Sequence, residues 1–144
     1  MDKMDKTQIV ELFGKGIDCS QVVVGAYAQE LGIGEEDAYK MAAAFGGGMG
    51  IGETCGAVVG AMIVLGLKYG HFDTEHMEQK GVMNEKRAEF IRKFQEKYGS
   101  CRCKELLKYD ISDPEEMQKI MGEGLLFDFC PEVVKDSLEI LKSL

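Results

Sequence analysis

Cys19, Cys55, Cys103 and Cys130 each fall where the sequence predicts a helix to begin. A helix N-terminus presents unpaired N–H groups and partial positive charge, which favour a thiolate over a thiol. The four are far apart in the chain, which weighs against a local zinc finger or ribbon, whose ligands arrive as two close pairs. Four helix ends must instead converge in three dimensions. A helix terminus contributes about 0.3–1 kcal/mol, less than one pKa unit, so strong activation needs a metal or a cation such as Arg102 as well. Crowded thiolates repel one another, and bound metal is the simplest way to hold them ionised. The chemistry on offer is an iron–sulfur or other metal centre, or pairs oxidised to disulfides. The plain alternative is that these cysteines are small buried hydrophobes.

The rest of the composition narrows the context. A chain of 144 residues with 45% hydrophobic content is about one domain and can bury a core without staples. We therefore expect residues 1–144 to form a single domain. A net charge of −8 argues against nucleic acid or an anionic membrane surface as a partner. Met1-Asp2-Lys3-Met4-Asp5-Lys6 is charged and shows no export pattern, which points to the cytoplasm. Reducing cytosol disfavours structural disulfides, so metal, redox and packing roles compete for the five cysteines.

Helical periodicity dominates, and the expected fold is all-α, a compact multi-helix bundle. Ile9, Val10, Leu12 and Phe13 form a first apolar stripe ended by Gly14 and Gly16. Asp18 caps a second helix with Cys19 at its first position, and Glu35, Glu36 and Asp37 open a third. Nine of the eighteen glycines lie between Gly46 and Gly70. They form a loop from Gly46 to Gly52 and then punctuate a helix, capped by Thr54, that is apolar on all sides and central to the core. That helix is too short to cross a bilayer, which needs about 20 residues, although it leaves a homodimer open. A long charged helix follows from about Thr74 to Tyr98, with Met77, Ala88, Ile91, Phe94 and Tyr98 available for burial and Gly81 a place for a kink. Ser100 caps a short helix holding Cys101 and Cys103. Asp113 and Pro114 start another, and Cys130-Pro131-Glu132 starts the last, which buries Val134, Leu138 and Leu141.

The glycine loop satisfies neither dinucleotide nor P-loop spacing and follows no strand, so no nucleotide is expected. Gly48, Gly50 and Gly56 instead let backbone approach the Cys55 site, where N–H groups can face cluster sulfurs or a small anion. Gly56 and Gly60 form a smooth strip for close helix packing. Cys101-Arg102-Cys103 would make a strained and easily reduced disulfide, while the bland reading turns Cys101 away as a packing residue. His71 and His76 lie near a helix break and read as exposed.

Ile17-Asp18-Cys19-Ser20-Gln21, Phe45 to Gly50, Glu53-Thr54-Cys55-Gly56-Ala57-Val58-Val59-Gly60, Cys103-Lys104-Glu105-Leu106-Leu107 and Cys130-Pro131 together resemble the C_GCAxxG_C_C family of proteins assigned a redox role. The likeness spans nearly the whole chain, and Cys101 lies outside its pattern. It implies a site of Cys19, Cys55, Cys103 and Cys130 used for electron transfer, with an iron–sulfur centre, or for thiol–disulfide exchange. An oxidoreductase or electron-transfer component with a redox protein partner would follow, without an assigned substrate. From a different class, the same thiolates would hold structural zinc in a non-redox module, or sit inert in a protein-interaction domain.

Overall fold

The computed structural model describes residues 4–144, so Met1 to Lys3 of the charged N-terminal segment lie outside the described residues. The chain folds as an all-α bundle of eight α-helices, with no strand among the described residues. Three helices precede the glycine loop: α1 (Lys6–Gly14), α2 (Cys19–Leu31) and α3 (Glu35–Ala42). Two of them begin on reciprocal caps. Asp5 accepts from the Gln8 N–H while Gln8 returns to the Asp5 N–H, and Gln21 returns in the same way to the Asp18 N–H. Each cap satisfies backbone donors that a helix start leaves unpaired.

Beyond the loop, α4 (Gly56–Tyr69) runs through the middle of the bundle and packs against α2, α5 (Glu78–Tyr98) and α8 (Leu125–Lys142). Its apolar residues explain the position. Ala57, Val58, Ala61, Val64 and Leu65 are all essentially inaccessible, and only Gly66 to Lys68 face solvent. Among the described residues no helix is long and apolar enough to cross a membrane. The α2–α4 contact is close because Gly60 has no side chain. A Cβ there would lie 2.8 Å from the Ser20 carbonyl oxygen and 3.0 Å from Val23 Cβ. Ser20 is buried beside it, and its hydroxyl donates to the Ala42 carbonyl at 2.7 Å, tying α2 to the end of α3.

The remaining helices correct several boundaries. The long helix begins at Glu78 rather than near Thr74, because Asp73 accepts from the Glu75 N–H and His76 and folds that stretch as a turn. Met77 is therefore exposed, as is Ala88 on the outer face, while Met83, Phe90 and Phe94 point inward. Gly81 leaves α5 unbroken. Helix α6 (Cys103–Leu107) is short, and α7 (Pro114–Gly122) starts as expected on Asp113, whose carboxylate accepts from the Glu115 and Glu116 N–H groups. The last helix starts earlier than the proline suggests. Gly124, with φ of 69°, turns the chain into α8, and Leu125, Leu126 and Phe129 find apolar neighbours, so Pro131 lies inside the helix. Val134, Leu138 and Leu141 are buried as the periodicity indicates.

These helices assemble two apolar clusters of unequal size. The large one joins α1, α2, α3, α4, α5 and α8. The small one centres on Cys103, Leu107 and Ile120, with Ile111, Met117 and Leu126 packed on it. A cavity lies between them.

Replacing Gly60 by alanine should force α2 and α4 apart and destabilise the fold by about 1–3 kcal/mol. Gly66→Ala adds a methyl to open space in the same helix and should stabilise by roughly 0.5–1 kcal/mol. Denaturant midpoints of the two variants measure this, and equal shifts would contradict the close crossing.

Candidate functional site

The four cysteines arrive on different elements. Cys19 opens α2 directly after its Asp18 cap. Cys55 is itself the cap of α4, one residue earlier than the expected first helical position, because Thr54 is drawn into an isolated antiparallel bridge with Arg102. That bridge is the local device that unites distant parts of the chain. The Cys55 N–H donates to the Cys101 carbonyl at 2.7 Å, and the Cys103 N–H donates to the Glu53 carbonyl at 2.6 Å. Outside it, the Glu53 carboxylate accepts from Arg102 at 3.2 and 3.3 Å and pairs with Lys104 at 3.6 Å. Cys103 then begins α6, with Arg102 as its cap, so Ser100 does not cap this helix and Cys101 lies before it. Cys130 departs from expectation most. It sits within α8 and not at a helix start, so the terminus of its own helix does not act on its sulfur.

Cys19, Cys55, Cys103 and Cys130 nonetheless line one cavity of about 280 Å³ between the two apolar clusters. Two of the three singled-out glycines belong to it. Gly56 has no room for a side chain, because a Cβ would run into Cys19 Sγ and lie 3.0 Å from the Phe45 carbonyl oxygen. At Gly48, with φ of 61°, a Cβ would lie 2.9 Å from Cys103 Cβ. Gly50 is not among the lining residues and has open space around it. The loop between Gly47 and Gly52 turns through several left-handed residues, Met49 among them, and the Glu53 N–H closes it on the Gly48 carbonyl at 3.0 Å. The Gly47 N–H faces the Cys19 sulfur, and those of Ala57 and Val58 face that of Cys55.

These donors do not make the metal-free thiols acidic. Burial raises Cys19 and Cys55 above the ordinary thiol range; the Asp18 carboxylate adds repulsion at Cys19, and the sulfurs of Cys19 and Cys130 add it at Cys55. Burial likewise pushes Cys103 up to about 11 and Cys130 up to about 12, again with repulsion from Cys19. Some surface of Cys19, Cys55 and Cys130 stays accessible because they face the cavity, while densely packed protein behind the sulfurs desolvates them. Arg102 does not offset this. Its guanidinium is engaged with Glu53 and Glu105 and is not part of the wall. Among the described residues, no three or more His, Cys, Asp or Glu groups are drawn tightly enough to hold a single metal ion. The sulfurs surround a volume instead.

Cys101 is half-buried, packs against the large core and does not line the cavity. Its backbone carbonyl is the part that serves the site. His76 is exposed and pairs with Asp73, away from the cavity. Two features of the site have no separate signal in the sequence: Asp18 lines the cavity as well as capping α2, and the Glu53–Arg102 pair stands over the bridge that joins Cys55 to Cys103. A single bridged residue pair leaves no periodic signal in sequence.

The model of the family described as "Putative redox-active protein (C_GCAxxG_C_C)" matches residues 17–144. The chain belongs to that family, whose description supplies the redox character and no substrate. Comparison with curated proteins and with solved structures returned no match.

The raised thiols fix a pH dependence for the reduced, metal-free chain. Unfolded thiols ionise near pH 8.5, whereas Cys103 and Cys130 hold their protons to about 11 and about 12 in the fold. Between those limits the unfolded chain binds fewer protons, so the stability is complete below about pH 8.5 and is lost as pH rises through the folded values. Denaturant unfolding from pH 8 to 11 should show this fall, and Cys130→Ala should reduce its slope. A stability that rises over that interval would contradict the buried, protonated state.

Proposed function

We propose that this protein is an electron-transfer component in which Cys19, Cys55, Cys103 and Cys130 hold an iron–sulfur centre. The observation that carries the reading is the convergence of four sulfurs from four separate elements on one cavity of about 280 Å³.

The residues present fit such a group. An all-thiolate donor set suits iron–sulfur clusters. Gly56 and Gly48 keep clear the space that side chains would fill. N–H groups of Gly47, Ala57 and Val58 are directed at Cys19 and Cys55, which is the hydrogen bonding that tunes sulfur-ligated iron. When bound, the centre would supply one-electron transfer. The chain's own residues hold the four sulfurs, orient them through the Thr54–Arg102 bridge and screen them from water behind the two apolar clusters. To hold such a centre the buried thiols of Cys19, Cys55, Cys103 and Cys130 would have to give up the protons they otherwise keep. The electrons would pass to a protein partner.

Two alternatives account for less of this arrangement. A thiol–disulfide cycle needs a thiolate as nucleophile, and thiols raised to about 11 and about 12 present very little of it at neutral pH. A structural zinc ion needs four ligands gathered around a single point, whereas these sulfurs line a larger volume.

Anaerobic purification followed by an absorption spectrum and by iron, zinc and sulfide analysis tests the proposal. The expected result is a reducible brown chromophore with stoichiometric iron and sulfide. Alanine at any one of the four cysteines should lower bound iron about tenfold or more, Gly56→Ala should lower it without removing a sulfur, and Cys101→Ala should retain it. Stoichiometric, colourless zinc would overturn the proposal, as would iron that survives the four single substitutions.

A further inference from the structure

The cavity wall carries more than thiols and glycine backbone. Phe13 and Ile17 close it from the large cluster, and Ile111, Met117, Leu126 and Phe129 border it where the small cluster begins. Four sulfur ligands alone do not require so extensive an apolar wall. A cavity of about 150 Å³ lined by apolar side chains is enough to bind benzene. About 280 Å³ therefore leaves room for an organic molecule beside a compact inorganic centre.

Charge on the wall selects among such molecules. Asp18, exposed at the edge of the cavity, is the one ionisable lining side chain other than the cysteines, and no lysine, arginine or histidine lines the cavity among the described residues. The nearby cations of Arg102 and Lys104 are committed to Glu53 outside it. A carboxylate or phosphate entering would lose its hydration and meet no compensating positive side chain, and the N–H groups of Gly47, Ala57 and Val58 are already directed at the Cys19 and Cys55 sulfurs, so its entry is costly. A neutral molecule pays no such penalty, and an ammonium group can pair with Asp18. Small-molecule sites are commonly built in this way, from apolar walls with a few placed polar groups.

We infer that the cavity takes a small aromatic or aliphatic molecule, neutral or cationic, against its apolar wall and rejects anionic ones, with Asp18 setting the preference. The inference rests on the redox reading only in making such a molecule the substrate class of that site; the binding itself needs no iron.

Calorimetric titration of the full chain, purified anaerobically, with benzylamine, benzyl alcohol and benzoate tests this on ligands of matched shape. Benzylamine and benzyl alcohol should bind about tenfold or more tighter than benzoate. Asp18→Asn, which preserves a capping side chain, should remove the advantage of benzylamine over benzyl alcohol and leave benzyl alcohol unchanged. Leu126→Phe or Met117→Phe, whichever variant keeps its helical circular dichroism, should weaken all binding by filling the cavity. Benzoate binding as tightly as the alcohol, no heat from the alcohol, or binding insensitive to the filling substitutions would overturn the inference. Iron measured on the same samples separates the two claims: binding without iron defeats only the electron-transfer reading, and iron without binding defeats only this one.

Discussion

The bridge between Thr54 and Arg102 is the contact on which the site depends. It joins the entry to α4 with the entry to α6 through two short backbone hydrogen bonds, and each bond is made by a cysteine: Cys55 donates to the Cys101 carbonyl, Cys103 to that of Glu53. Backbone groups buried in a loop must find partners, and here that requirement also places two sulfurs on one wall. The external pairing of Glu53 with Arg102 and Lys104 is solvent-exposed, so its share is small. The two hydrogen bonds set the register.

The electrostatics follow from the same packing. Four sulfurs enclosed between apolar clusters are poor places for uncompensated negative charge, and the few N–H groups aimed at Cys19 and Cys55 do not outweigh the loss of water. The site is consequently proton-loaded when metal-free. Cys130, within α8 and away from that helix's own start, is raised to about 12. A cationic centre bound there would reverse the balance, because desolvation would then strengthen its attraction to each thiolate. Much of the large core lies away from the cavity: Ile9, Leu65, Phe90 and Phe94 are fully buried and do not line it.

Much of this was legible in the residues, for reasons that can be named. The all-α fold and the central place of α4 follow from periodicity and from a helix with no polar face. The start of α2 at Asp18 and of α7 at Asp113 follow from capping chemistry. Cys130 was misplaced because a Cys-Pro pair carries a strong helix-start signal, and apolar packing upstream of it overrode that signal. Cys55 moved to the cap because the bridge claimed Thr54, and long-range pairing of single residues has no local signature. Gly50 shares the composition of its loop but not its location, since composition cannot tell which glycine of a turn faces inward. The apolar wall was hidden for a related reason: Phe13, Ile111 and Leu126 belong to separate helices or loops, and only the packing of two clusters brings them together.

Diffraction at the iron absorption edge, from crystals grown without oxygen, tests the central claim most directly. The account predicts iron density inside the cavity, flanked by the sulfurs of Cys19, Cys55, Cys103 and Cys130, with the Cys101 sulfur outside. Iron bound elsewhere, or any of the four sulfurs turned away from the shared space, would contradict it.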